Sequence, residues 1–300
     1  MLLQRKGSKY KGYVFALPLV SLLLLFMVYP CLATFYHAFT RWDGIMPPVW
    51  IGVRNFQFMF QDKVFWIALK NNLLILLYVP LWLMLPLILA SLLREQVMGW
   101  KFFRAVFFIP HVLSPVIIGT LFGIMLRLDG PVNQVFEALG AVGLTRNWLG
   151  DPRIVIHMVA LVRIWLLFGF GTLIFLAGLS AVPESLYDAA KMDGATWWHT
   201  VWHVTLPALR FQIEFWLVLY IITVFARMFD LVFIMTKGGP GYYSYVLEFG
   251  SYMTSFRYRQ MGYGSTWATF LFVIISVAAV IQVRLMREEK KEKRANATTK

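Results

Sequence analysis

The sequence predicts an all-α integral membrane protein with six transmembrane helices and both termini in the cytoplasm. Composition, the length of the apolar runs and the placement of basic residues carry that prediction. Of 300 residues, 59% are hydrophobic and 14% charged, against about 45–50% and about 25% in soluble globular chains. Six runs reach the ~20 residues needed to cross a hydrocarbon core ~30 Å thick: about 13–36, 73–93, 105–126, 154–177, 211–235 and 263–283. Only helices and closed barrels satisfy their backbone groups in lipid, and these runs lack the alternation of barrel strands. Counted between these boundaries, sixteen of the 28 Lys and Arg residues fall in segments on the N-terminal side of the membrane and ten on the other. The basic-inside bias therefore places both ends inside.

Residues 1–12 form a basic cytoplasmic N-terminus with Arg5, Lys6, Lys9 and Lys11. The first run is 24 residues long and no A-x-A site follows it, whereas a signal peptide has an apolar region of about 7–15 residues. It is expected to be a retained span. In the first outer loop Phe56, Met59, Phe60, Lys63 and Val64 recur at helical spacing, as in a short helix lying on the membrane surface or packed on the bundle. Pro80, Pro86, Pro110 and Pro115 lie inside spans, where neighbouring helices accommodate them. Asp129-Gly130-Pro131 and Gly238-Gly239-Pro240-Gly241 are turn signals in the outer loops. The transmembrane domain thus covers 13–283, and 284–300 is a basic cytoplasmic tail.

Several function classes are excluded or disfavoured. The single Cys31 has no partner for a disulfide. The net charge of +13 reads as topology, since seven basic residues abut the last span, and not as a nucleic-acid surface. No phosphate-binding loop occurs, so the chain is not expected to hydrolyse ATP. His199 and His203 stand at i, i+4, but residue 200 is Thr where a metalloprotease needs Glu. No catalytic site and no metal site is expected.

The most informative segment is cytoplasmic, residues 178–207. Pro183 suits a first helical turn, Glu184 complements the dipole there, and Gly194 supplies a left-handed stop. Ala189 and Ala190 leave a surface that another backbone can approach closely, and Leu206-Pro207 ends a second helical piece before the fifth span. Asp188-Ala189-Ala190, three residues, Gly194, nine residues, then Val204-Thr205-Leu206-Pro207 resembles the E-A-A loop of membrane permeases in binding-protein-dependent ABC importers. Asp188 for Glu and Val204 for Ile are the two departures, and both keep the chemical type.

The resemblance covers nearly the whole chain and extends to carbohydrate permeases of the maltose-F or glycerol-phosphate-A type. Tyr29-Pro30, the Phe39–Gly44 and Gly52–Phe56 stretches, Trp148-Leu149-Gly150-Asp151-Pro152, the Thr236–Pro240 stretch and Gly262-Tyr263-Gly264-Ser265 carry it. The resemblance implies a type I ABC importer permease in a bacterial or archaeal cytoplasmic membrane. Its implied partners are a second permease, a dimer of ABC ATPases holding ATP and Mg, an external sugar-binding protein and membrane lipid, with no nucleic acid. Asp188, Ala189, Ala190, Asp193, Gly194, Leu206 and Pro207 would be the ATPase-coupling residues. Glycerol 3-phosphate or another polyol phosphate is the alternative cargo, and a stand-alone secondary transporter is the alternative class.

A substrate path is sought among polar groups at bilayer depth, which usually face a bundle interior or water. Arg163, Leu167 and Phe170 share a face of the fourth span, and Tyr220, Thr223, Arg227 and Asp230 share one of the fifth. Polar groups beside rings suit a sugar. Equally, Arg227 and Asp230, at i, i+3, can pair with each other.

Overall fold

A computed structural model describes residues 8–95 and 98–298, which are mostly helical. The helices are α1 Ser8–Leu23, α2 Tyr29–Ala38, α3 Arg54–Gln61, α4 Lys63–Leu76, α5 Val79–Arg94, α6 Trp100–Val112, α7 Pro115–Met125 and α8 Pro131–Ala138. They continue as α9 Val155–Ser180, α10 Glu184–Met192, α11 Trp197–Thr200, α12 Leu206–Ala208, α13 Arg210–Ala226, α14 Phe229–Met235, α15 Leu247–Tyr252 and α16 Met261–Thr298. A two-stranded antiparallel hairpin pairs β1 Thr40–Arg41 with β2 Val49–Trp50. The sequence motifs Asp129-Gly130-Pro131 become a helix start, with Gly130 as N-cap and Pro131 in the first turn of α8.

Among the described residues, four helical stretches are long and apolar enough to cross a bilayer: Tyr13–Ala38, Lys63–Arg94, Val155–Ser180 and Met261–Ile281. Two bent pairs, α6 with α7 and the Trp197–Ala208 stretch with α13, bring the number to six if each is one span. The six apolar runs of the sequence fall largely within helices, with three local differences. The second begins at Lys63, ten residues earlier than its apolar run. The third is broken, α6 and α7 meeting at 96°, because Ser114 caps α7 by accepting from Val116 N at 3.3 Å and Pro115 occupies its first turn. The fifth is interrupted at Arg227, where the backbone leaves the helical region before α14.

Proline also explains two widened turns. Leu24–Val28 and Val201–Thr205 are π-helical, and each is followed two residues on by a proline, Pro30 and Pro207. A proline inside a helix donates no N–H and clashes with the carbonyl four residues back, and a wider turn relieves both problems.

The chain divides into two compact units. One comprises the chain up to Asp62 together with residues 251–270. In it, Asn55 is 6% exposed and donates to Ala38 O at 2.9 Å and Thr40 O at 2.8 Å, tying α3 to the end of α2. The most apolar window of the Tyr13–Ala38 helix has none of its residues buried; an apolar surface left open in this way belongs in lipid or against another chain.

The other unit comprises Lys63–Gly250 and the chain from Leu271 on. Its central element is α9, which packs against α4, α5, α6, α7, α13 and α14. Trp82 of α5 and Trp216 of α13, each 1% exposed, stack at 4.6 Å between ring centroids. Each indole N–H donates to the other residue's carbonyl, at 3.2 and 2.9 Å. Trp216→Ala removes a large buried ring and a reciprocal pair of hydrogen bonds, so it is expected to destabilise the protein by about 3–5 kcal/mol. Thermal unfolding of the purified variant measures this, and an unchanged midpoint would contradict it.

Asn71 and Asn72 fix the segment before α15. Asn71 donates to Tyr242 O and Tyr245 O at 3.0 and 2.8 Å. Asn72, fully buried, donates to Val224 O at 2.5 Å and accepts from Leu247 N at 2.9 Å. These two amides are why a helix of Lys63, Lys70, Asn71 and Asn72 can precede an apolar run without leaving buried polar groups unmet.

Candidate functional site

The segment from α10 to α12 builds a short helix with an abrupt end. Glu184 lies in the first turn of α10 and Lys191 in its last, complementing the helix dipole. Gly194 has φ +72°. Its N–H donates to Lys191 O at 3.0 Å, and Ala195 N donates to Ala190 O at 2.9 Å. This is the Schellman arrangement, which satisfies the last carbonyls and reverses the chain at a left-handed residue. Thr196 then caps α11, accepting from His199 N at 3.3 Å.

Asp188, Ala189, Asp193 and Gly194 are exposed and Ala190 is half-buried. Ala189, Ala190, Asp193 and Gly194 line a groove of about 480 Å³ together with Leu186, Ala195, Thr196, His199, His203 and Val204. No heavy atom lies within 4 Å of where a Gly194 Cβ would stand, so the groove is open there. His199 and His203 stack at 4.0 Å, and His203 Nδ1 lies 3.0 Å from His199 O. Leu206 and Pro207 lie in α12 with Ala208, and Leu209 closes the segment before α13, which leaves at 76°.

Two residues that tether α10 were missed in the sequence. The Arg94 guanidinium of α5 sits 3.7 Å from the centroid of the Tyr187 ring, a cation–π contact. The Tyr187 hydroxyl lies 3.4 Å from Thr205 Oγ1. Tyr187 thus touches both the membrane helix and the returning segment, and no local motif marks it.

The proposed path residues divide by environment. Arg163, 4% exposed, forms an ion pair and hydrogen bond with Asp230, joining α9 to α14. This corrects the expectation that Asp230 pairs with Arg227: a carboxylate at the start of α14 meets the guanidinium of another helix. Asp230 Oδ1 also accepts from Leu231 N at 2.8 Å. Glu248 of α15 accepts from Met228 N and Phe229 N, each at 2.9 Å, so it caps α14. Burial pushes the Glu248 carboxyl above its ordinary range, against the pull of those two N–H donors.

Tyr220 and Thr223 have their hydroxyls engaged by the backbone. Tyr220 is 1% exposed, donates to Ile75 O and packs 4.7 Å from the Trp82 ring. Thr223 is 3% exposed and donates to Leu219 O at 2.7 Å. Both are buried with their hydroxyls bonded to backbone carbonyls, which period-based reading of one helix face could not distinguish from an open face. Leu167 and Phe170 are half-buried and Arg227 is exposed. Phe170 stacks on His111 at 4.6 Å with the rings 9° apart, and His111 lies within electrostatic range of Arg227. The structure therefore brings Phe170, His111 and Arg227 into one neighbourhood, with His111 the member that sequence reasoning passed over.

No family model matches the chain. A probable ABC transporter permease of Pyrococcus horikoshii is 32% identical over 271 residues, covering 89% of this chain and 92% of the relative. The lactose transport system permease LacF of Rhizobium radiobacter is 30% identical over 284 residues, covering 93% and 95%. Among solved structures, a chain of a bacterial alginate ABC transporter in complex with an alginate-pentasaccharide-bound periplasmic protein superposes with a TM-score of 0.82. It is 23% identical and covers 95% of this chain and 96% of its own.

Proposed function

Because the chain belongs to the permease subunits of ABC sugar transporters, we propose that it couples to separate ATPase subunits through α10 and the turn at Gly194. It is a multi-pass membrane protein and a carbohydrate importer permease. In our reading it sits in the cytoplasmic membrane of a bacterium or archaeon with both termini inside. A second permease completes the pathway, and an external binding protein delivers the sugar. The ATPase dimer, holding ATP and Mg, does the chemistry.

One observation carries the coupling assignment. Asp188 and Ala189 are exposed and Ala190 half-buried on a nine-residue helix that stops at the exposed Gly194, and Tyr187 ties that helix to α5 and to the Val201–Thr205 turn. A partner that pushes on such a helix is expected to move α5 and the Val201–Thr205 turn with it. For the path we assign Leu167, Phe170 and Arg227, with His111. Arg163, Tyr220 and Thr223 hold the surrounding helices in place.

Affinity purification of the full chain from its native membrane tests the assembly. An ATPase and a second six-span chain are expected to accompany it. Recovery of the chain with no ATPase, under conditions that preserve membrane complexes, would contradict the reading.

A further inference from the structure

A second cavity of about 500 Å³ lies wholly within the unit that contains the hairpin. It belongs to neither the coupling segment nor the path. Arg41, Trp42, Asp43, Asp62, Arg259 and Gln260 line it. These come from the hairpin, the end of α3 and the turn before α16, stretches about two hundred residues apart in sequence.

The walls are fixed before any ligand arrives. Trp42 is stacked on His37 at 3.9 Å with the rings 18° apart, which backs one face of the indole. Asp43 Oδ1 accepts from Ile45 N at 2.9 Å and Met46 N at 2.8 Å. Those two donors, with Arg259 nearby, hold the Asp43 carboxyl below its ordinary range, so it is an acceptor at neutral pH. Asp62 Oδ2 accepts from the Tyr263 hydroxyl at 2.9 Å. Gly262 N donates to Trp42 O at 3.0 Å, and a Cβ at Gly262 would collide with the Thr40 carbonyl, so the hairpin and α16 meet backbone to backbone. Arg259 has φ +55°, a left-handed conformation uncommon outside glycine that tends to occur where a site imposes it.

We propose that this pocket binds a neutral sugar ring stacked on Trp42 and hydrogen-bonded by Asp43, Asp62, Arg259 and Gln260. Its volume falls in the range of about 300–1,000 Å³ found for small-molecule sites. Two guanidiniums and two carboxylates leave it without net formal charge, so it offers both donors and acceptors to hydroxyl groups and no excess for an anion. An aromatic platform beside such groups matches a pyranose, whose faces carry C–H and whose edge carries hydroxyls. The proposal rests on the importer reading only in placing this pocket on the outer face of the membrane.

The test uses the full chain in lipid nanodiscs, without binding protein or nucleotide. Glucose, galactose, maltose, lactose and glucuronate are titrated by saturation-transfer NMR. At least one neutral sugar is expected to bind saturably and more tightly than glucuronate. Trp42→Ala is expected to weaken it about tenfold. Asp43→Asn keeps an acceptor for Ile45 N and Met46 N, so the loop stays folded, and is expected to weaken binding about five- to tenfold. Absence of saturable binding by every neutral sugar, tighter binding of glucuronate, or unchanged binding in both variants would overturn the proposal. Loss of ATP-coupled uptake alone would instead count against the importer reading, because this binding needs no ATPase.

Discussion

Gly194→Pro is expected to lower ATP-coupled sugar uptake by at least about a hundredfold while the protein still inserts and assembles. Proline holds φ near −65°, and Gly194 stands at +72°, so the chain cannot reverse there. The variant also loses the N–H that donates to Lys191 O at 3.0 Å. Both changes fall on an exposed turn with no heavy atom within 4 Å of the Cβ position, so the bundle core is untouched. What changes is the direction in which α10 joins α11, and with it the surface offered to the ATPase. Gly194→Ala has open space around its Cβ and keeps the N–H; its cost is the left-handed backbone alone, about 1 kcal/mol, so its uptake should fall far less. Uptake of labelled sugar by cells producing equal amounts of each variant measures the difference. Normal uptake in Gly194→Pro would remove α10 from the coupling role.

The second large effect lies at the ion pair between α9 and α14. Asp230→Ala leaves the Arg163 guanidinium, 4% exposed, without its carboxylate partner. An uncompensated buried charge typically costs about 3–5 kcal/mol, so this variant should unfold at markedly lower temperature or fail to accumulate. Glu248, which caps α14, also lies within electrostatic range of Arg163 and would soften the loss in part. Removing both charges together, as Arg163→Met with Asp230→Leu, replaces the pair by apolar groups and should restore much of the stability. It should also retain transport if Arg163 is a packing residue. A stable double variant that no longer transports would return Arg163 to the path.

How much was legible in the sequence follows from the range of each interaction. Apolar runs long enough to cross a bilayer are local, and they fall largely within α1 and α2, α4 and α5, α6 and α7, α9, α13 and α14, and α16. The start at Lys63 was not legible, because Lys70, Asn71 and Asn72 lower the hydropathy. The amides that make their burial acceptable find partners 152 to 175 residues away. The break at Ser114-Pro115 was visible as a proline within a span; the 96° bend depends on Ser114 acting as a cap. In the coupling segment the stop at Gly194 was legible, since a glycine after an amphipathic turn has a local meaning. Its tether was not, because Arg94 and Tyr187 are far apart in the chain. The same limit explains Asp230: local spacing offered Arg227, while the ion pair forms with Arg163, 67 residues away. Tyr220 and Thr223 share a face with Arg227, but periodicity cannot tell a face that lines a path from one whose hydroxyls are bonded to carbonyls.

On our proposal, separate ATPases drive sugar through this chain. Reconstitution of the purified complex in proteoliposomes, with the binding protein outside and ATP either inside or omitted, tests this most directly. Labelled sugar is expected to accumulate against its gradient only when both ATP and binding protein are present, and imposed proton or sodium gradients should have no effect. Accumulation by the chain alone, driven by an ion gradient without ATP, would contradict the account.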